Sequence, residues 1–243
     1  MAHPTSHTIL SIIIPTKDEE EQLPGCLETV QEQDIHLPWE LIVVDSSSAP
    51  ISQEIAKKYG ARVIIEQRLG KGIAVYTGAE AAKGEILCFT EADCRLPEDW
   101  LQNIYNEFSN DPDTVAVTAH YDYFDSGWLY NLILDIFLPI SVWGYYLIYR
   151  NHSIRGTNFA VRASAYQQAG KFSLEAKEFQ DVELGLRLRR LGKIRFVRRL
   201  KILTSSRRIR GRIFEYLLEF APAIYKLFVQ HRLVTKATYK DIR

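Results

Sequence analysis

Residues 70–93 read GKGIAVYTGAEAAKGEILCFTEAD. Gly70-Lys71-Gly72 leads into a helical pattern that runs through Ala82. Glu85–Thr90 (EILCFT) is then a short apolar run of strand length, and it ends on Glu91-Ala92-Asp93. This helix–strand unit recurs on both sides. Upstream, Thr8–Ile14 is rich in β-branched residues and stops at Pro15, as a buried strand would. Acidic Asp18–Glu21 precede Pro24 and a helix reaching about Gln33. Trp39–Asp45 (WELIVVD) is a second strand, Ile51–Tyr59 a helix and Arg62–Glu66 a third strand. Downstream, Pro97 opens a helix over Asp99–Ser109, and Thr114–His120 is a fifth strand. Strands separated by helical patterns of about 10–15 residues call for right-handed crossovers, hence an α/β fold with a mostly parallel sheet. Such sheets bind ligands beyond the carboxyl ends of their strands. That rule selects 15–19, 45–48 and 91–93.

The alternation breaks after Asp125. Residues 128–149 are apolar and aromatic, with Asp135 the single formal charge and a proline at 139. A Gly156-Thr157-Asn158 loop, a strand at Phe159–Arg162 and a helix at Ala163–Ala169 follow. Asp181–Leu191 reads as a patterned helix, Ile194–Val197 as a strand and Arg212–Gln230 as an amphipathic helix. No repeat or linker interrupts the chain, so residues 1–243 read as one domain. It divides into a first half at 1–125, an apolar insertion at 126–152, a second half at 153–210 and a C-terminal helix at 211–243.

Composition excludes several classes. With 47% hydrophobic and 25% charged residues, the chain is neither disordered nor fibrous. Cys26, Cys88 and Cys94 have no metal-ligand spacing and do not suggest a disulfide scaffold. The first ten residues lack a basic segment followed by an apolar run, which points to the cytosol. The formal net charge is zero, but residues 1–186 hold 13 basic and 27 acidic side chains while 187–243 hold 17 basic and 3 acidic. Such blocks report either an interaction surface or two faces of one domain that attract each other.

Two carboxylates two residues apart past a buried strand, Glu91 and Asp93, suit Mg²⁺ or Mn²⁺ shared with substrate phosphates; a turn cap beside a solvated Glu is the plain alternative. Asp45, also at a strand end, either accepts hydrogen bonds from a base or ribose or caps the helix near Ile51. Lys71 sits in a loop too short for a P-loop and reads as a phosphate partner or a surface lysine. Asp181 is either a first-turn acid favoured by the helix dipole or a general base. No G-x-S-x-G, H-x-x-x-H or Cys–His neighbours occur, so hydrolase and zinc chemistry lack support.

Taken together the segments resemble family 2 glycosyltransferases of the GT-A, nucleotide-diphospho-sugar transferase fold. SIIIPTKDEEEQLPGCL is similar to the family's opening strand and P-T-x-N-E-E turn, and ELIVVDSSS to its V-V-D-D-G-S turn. Residues 70–93 resemble its G-K…D-A-D run. RGTNFAVRASAYQQAGKF and EFQDVELGLRLRRLGKI resemble its G-x-N-x-x-x-R and E-D-x-E-L-x-x-R-L segments. The resemblance implies a nucleotide-sugar donor held by Pro15, Thr16, Glu19 and Asp45, with Lys71 nearby and Arg207 or Arg208 assisting. It implies Glu91 and Asp93 as the metal pair and Asp181 as the base of an inverting transfer. The departures are Glu91 for the first Asp, Gln180 for the acid before the base, and Thr204-Ser-Ser-Arg-Arg for the Q-x-x-R-W of processive synthases. The last of these implies transfer of one sugar.

Twenty-two helical residues would span ~33 Å, about one bilayer core. A single crossing at 128–149 would nevertheless separate Asp93 from Asp181, which one site needs together. The segment is therefore expected at the interface, as a re-entrant hairpin, or packed on the domain. With the basic amphipathic C-terminus it suggests a cytoplasmic protein, peripheral on the inner face of the membrane, acting on a lipid-linked or other hydrophobic acceptor. The rival readings are a non-catalytic nucleotide-sugar or nucleic-acid binding module and a sugar-nucleotidyltransferase. No nucleic-acid motif is present, and the first strand lacks the Gly-rich turn of the latter.

Overall fold

The computed structural model describes residues 7–68, 70–127, 143, 146, 147, 152–154, 156–175 and 179–207. Its elements are β1 (Leu10–Thr16), α1 (Leu23–Gln31), β2 (Trp39–Asp45), α2 (Ile51–Lys58), β3 (Arg62–Ile65), α3 (Lys71–Ala81), β4 (Ile86–Phe89) and β5 (Cys94–Arg95). There follow α4 (Trp100–Asn110), β6 (Thr114–Thr118), β7 (Tyr121–Tyr123), β8 (Phe159–Arg162), α5 (Ala163–Gln168), α6 (Gln180–Leu188), β9 (Lys193–Phe196), a 3-10 turn at Arg198–Leu200 and β10 (Ile202–Thr204).

Among the described residues, seven strands form one sheet in the order β3-β2-β1-β4-β8-β6-β9. Only β8 runs against its neighbours, β4 and β6. The expected mostly parallel sheet is therefore present. Both its faces are covered, so its strands read as continuous apolar runs rather than alternating ones. In β1, Leu10, Ile12 and Ile14 face a cluster with Leu27, Trp100 and Ile104, while Ile13 faces Val75, Phe89 and Leu184 on the other side. Helix α3 lies so close to β1 and β2 that a Cβ at Gly78 would meet Ile13 Cγ2 at 2.5 Å.

The expected first strand, 8–14, instead spans 10–16. Ladder contacts with β2 continue to Thr16 while those with β4 end at Ile13. Ile13 O accepts from Thr90 N, so Pro15, two residues on, turns its missing N–H to the same side, where no strand requires it. A proline that looked like a terminator is thus accommodated. The helix expected over 181–191 is shorter, ending at Leu188.

A second sheet, β5-β10-β7, was not expected. Strands of two and three residues carry no periodic signal. Its effect is local and specific: Thr204 lies beside Cys94 in one direction and Tyr123 in the other, which delivers the residues after β10 to Asp93.

Asn158 ties four elements together. Its Oδ1 accepts from Trp100 Nε1 at 3.0 Å, and its Nδ2 donates to His120 O at 3.1 Å and Leu200 O at 2.6 Å. Asn158→Ala would strand one buried N–H and two carbonyls, so it is expected to cost about 3 kcal/mol, read as a lower urea midpoint with unchanged slope.

The apolar insertion at 126–152 and the C-terminal helix at 211–243 lie outside the described residues, apart from 126, 127, 143, 146, 147 and 152. Among the described residues, no helix is long and apolar enough to cross a membrane. The basic block shows its use in part. Arg187 pairs with Glu183, Lys193 with Asp111 and Asp113, Arg195 with Glu107, Lys201 with Asp122, and Arg207 with Glu19 and Asp93. Over 187–207, then, much of the positive charge neutralises acids of the same fold.

Candidate active site

The carboxyl edge of the parallel strands gathers the chemistry. At the end of β1, Pro15 and Thr16 lead into a turn in which Asp18 adopts φ 52°, a left-handed geometry that Asp tolerates better than most residues. Asp18 N donates to Ser47 Oγ at 2.8 Å, joining this turn to the one after β2. Thr16 is buried, and its Oγ1 has no hydrogen-bond partner among the described residues. Such a group usually awaits one.

Asp45 ends β2 fully buried. Its carboxylate accepts from Ser47 N at 3.2 Å, Ser47 Oγ at 2.5 Å and Gln53 Nε2 at 3.0 Å. It does not cap α2; Gln53, in the helix's first turn, reaches back to it instead. The neighbouring β3 is followed directly by Glu66, an acid the sequence did not single out. Glu66 N donates to Asp45 O, and its carboxylate is gripped by Arg68 (2.7 and 2.9 Å) and Thr77 (2.6 Å). The Arg68 hydrogen bonds are the main cause holding its pKa down at about 2. An acid directly after a short strand was the available signal.

Glu91 and Asp93 follow β4 but face different partners. Glu91 Oε1 accepts from Lys71 Nζ and from Thr157 Oγ1, both at 2.6 Å. Asp93 is buried, with Thr204 Oγ1 at 3.4 Å and the Arg207 guanidinium at 3.7 Å. Arg207 simultaneously pairs with Glu19 from the β1 turn. Next to it, Asp125 accepts from Ser205 Oγ (2.5 Å) and Ser206 N (2.6 Å). Burial pushes Asp125 up, yet these hydrogen bonds outweigh it and hold its carboxyl below the usual range.

Asp181 lies in the first turn of α6, one residue inside the helix; the cap position is Phe179, itself at φ 55°. The Gly156 N–H donates to Asp181 Oδ2. A Cβ at 156 would stand 3.1 Å from that oxygen, so any larger residue would press the carboxylate back by a few tenths of an ångström. Desolvation raises the Asp181 pKa above the ordinary aspartate value; the Lys71 charge and the backbone N–H groups oppose it without cancelling it. The absence of an acid at 180, which would lower the expectation for Asp181, is thus outweighed by burial. Gln180 instead covers Gly72 at the start of α3.

Pro15, Thr16, Glu19, Asp45, Lys71, Glu91, Asp93, Asp181 and Arg207 therefore share one sheet edge, and Arg208 lies outside the described residues. No group of three or more His, Cys, Asp or Glu among the described residues makes a self-sufficient metal site. Asp93 nevertheless fits a divalent ion that takes its remaining oxygens from phosphates and water. It is a hard oxygen donor, and a guanidinium already stands against it as a cation.

Comparison with known proteins agrees with this fold. The model of glycosyl transferase family 2 matches residues 11–170. A 4,4'-diaponeurosporenoate glycosyltransferase of Staphylococcus haemolyticus is 35% identical over 94 residues, covering 36% of this chain and 24% of its own. An undecaprenyl-phosphate 4-deoxy-4-formamido-L-arabinose transferase of Pectobacterium carotovorum is 27% identical over 116 residues, covering 44% and 36%. The chain spans about a quarter to a half of the length of the curated relatives it matches. Among solved structures, the mannosyltransferase PcManGT from Pyrobaculum calidifontis, in complex with GDP-Man and Mn²⁺, has a TM-score of 0.71 at 18% identity. That match covers 98% of this chain and 68% of the other.

Proposed function

The chain belongs to glycosyl transferase family 2 and has the GT-A type of sheet, and on that premise we propose that it moves a single sugar from a nucleotide-diphosphate sugar to an acceptor hydroxyl. The observation that carries the reading is Asp181: a carboxyl with a raised pKa, aimed by the Gly156 N–H, on the same sheet edge as Asp93. In the transfer, Asp181 takes the proton of the acceptor hydroxyl as its oxygen bonds to the anomeric carbon. The bond from that carbon to the diphosphate breaks on the opposite face, inverting the centre, and the nucleoside diphosphate leaves with the electron pair.

The nucleoside belongs to the turns after β1 and β2. Thr16 Oγ1 supplies an unmet hydrogen-bonding group there, and Pro15, Glu19 and Asp45 complete the walls. Asp93 is the carboxylate for Mg²⁺ or Mn²⁺, which when bound neutralises charge developing on the departing diphosphate. Arg207 rests on Asp93 and Glu19 and becomes a phosphate partner once they are otherwise engaged. Arg208 extends the same positive charge along the chain. Glu91 stands beside the metal position, and Lys71 lies between it and Asp181.

A lipid-linked or hydrophobic acceptor is supported by the relative that is named for undecaprenyl-phosphate, by the apolar residues 128–149, and by the exposure of Trp143 (64%) and Leu147 (43%). That acceptor would place the protein at the inner face of the membrane. The test is nucleotide release from UDP-, GDP- and dTDP-sugars with Mn²⁺ and a membrane lipid extract. One donor is expected to release nucleotide only when metal and extract are both present. Failure of every donor to bind or turn over would sink the proposal.

A further inference from the structure

Of the two carboxylates after β4, Asp93 meets Thr204 and Arg207 while Glu91 meets Lys71 and Thr157, and those partners say what Glu91 does. Strand β8 runs antiparallel to β4 with Phe89 opposite Phe159. Continuing that register two residues past Phe89 and two before Phe159 sets Glu91 opposite Thr157. The side chains meet there, Thr157 Oγ1 donating to Glu91 Oε1 at 2.6 Å. The same oxygen accepts from Lys71 Nζ at 2.6 Å. Lys71 is the first residue of α3, whose next residue, Gly72, lies under Gln180 at the start of α6. Thr157 follows Gly156, whose N–H holds Asp181. One carboxylate oxygen thus joins the ends of β4, α3 and the turn before β8, and through that turn reaches the base.

We propose that Glu91 is the positioning residue of the base turn, fixing Gly156-Thr157 and Lys71 so that the Gly156 N–H aims Asp181, and that Asp93 alone of the pair ligates the metal. This rests on the reading of Asp181 as the base and of Asp93 as the metal carboxylate. The extra methylene of Glu has a physical use here. Its reach across the strand gap lets one oxygen accept from a side chain on β8's turn and from a lysine on α3. A shorter Asp would give up one of the two.

The test separates metal binding from positioning. Mn²⁺ affinity in the presence of GDP and, separately, UDP is measured for Glu91→Gln, Glu91→Ala and Asp93→Asn. The two Glu91 variants are expected within about twofold of the parent and Asp93→Asn at least tenfold weaker. With the donor found in the release assay, Glu91→Ala and Glu91→Asp are expected to lose about 10–100-fold in kcat with the donor KM within twofold, and Glu91→Gln to lose least. Thr157→Val is expected to lose kcat in the same direction. The double variant Glu91→Ala/Thr157→Val should be no worse than Glu91→Ala, since the two remove one interaction. Amide exchange at 156–158 should quicken in Glu91→Ala and not in Asp93→Asn. Mn²⁺ binding that weakens in Glu91→Gln as much as in Asp93→Asn, or unchanged exchange at 156–158, would overturn the proposal. Exchange and metal results as expected, with no donor ever turned over, would leave the junction standing and overturn the glycosyl-transfer reading.

Discussion

Asp181→Asn is expected to lower kcat by about 10²–10⁴-fold, with donor binding and the fold surviving. Asn keeps the shape and still accepts the Gly156 N–H through its carbonyl oxygen, but it cannot take a proton. The parent's rate should rise with pH through a value above the ordinary aspartate range, because desolvation favours the neutral carboxyl and only the ionised one is a base. That limb disappears in the variant. The effect on stability runs the other way from the effect on rate. A folded-state pKa raised above the unfolded one means that the native protein holds this proton more tightly. The contribution is fully present below the unfolded pKa and is lost as pH rises through the folded one. Above its folded-state pKa the ionised, half-buried Asp181 therefore adds no stability, and Asn in its place is expected there to leave Tm unchanged or raised. Circular dichroism melting beside the kinetic assay checks this. Turnover that stays at the parent level removes Asp181 from the reaction. A further contrast is informative: an acceptor phosphate is already ionised and needs no base, so with such an acceptor the variant should lose little.

Asp93→Asn is expected to lower kcat/KM for the nucleotide sugar by about 10²–10³-fold and to remove most of the dependence on added Mn²⁺. The carboxylate is buried and its charge is balanced by Arg207, which also pairs with Glu19. Neutralising Asp93 removes a hard anionic oxygen that a divalent ion requires and leaves the guanidinium held mainly by Glu19. Glu19 therefore keeps the strap after β10 in place, so the loss should be seen in metal titrations rather than in a large fall of Tm. Mn²⁺ titration in the presence of nucleoside diphosphate is the direct measurement. An unchanged metal optimum in Asp93→Asn would move the metal ligand elsewhere on the sheet edge.

Parts of this site were legible in the sequence because they are local. WELIVVD spans β2 residue for residue, since a strand buried on both faces needs an unbroken apolar run, here Leu41–Val44, and leaves the polar residue that follows it, Asp45, at the edge. The same logic located Glu91 and Asp93 after EILCF and Thr16 after the first strand. What it left open was which partners each acid keeps. Asp45 was read as either a ligand group or a helix cap, and the structure shows it accepting from Ser47 and Gln53 rather than capping α2. Glu91 and Asp93 were read as one pair. They diverge because one is met by β8's turn and the other by β10's, and neither meeting is encoded within a few residues of the acids.

The sequence by itself determined the order along the chain of the large sheet's strands and its covering helices, the parallel character of that sheet and the identity of the edge at which carboxylates collect. Hydrophobic periodicity and strand length are properties of short windows, and burial enforces them wherever the window lies. Only the tertiary structure decided that β8 runs antiparallel beside β4, setting Thr157 opposite Glu91, and that the three-residue β10 carries Arg207 to Asp93 and Glu19. It also decided that Lys193, Arg195, Lys201 and Arg207 are drawn onto acids of the first half. Register and charge pairing join residues roughly 65 to 190 positions apart. Their energy comes from contacts formed only once the sheet has closed, so no local pattern records them.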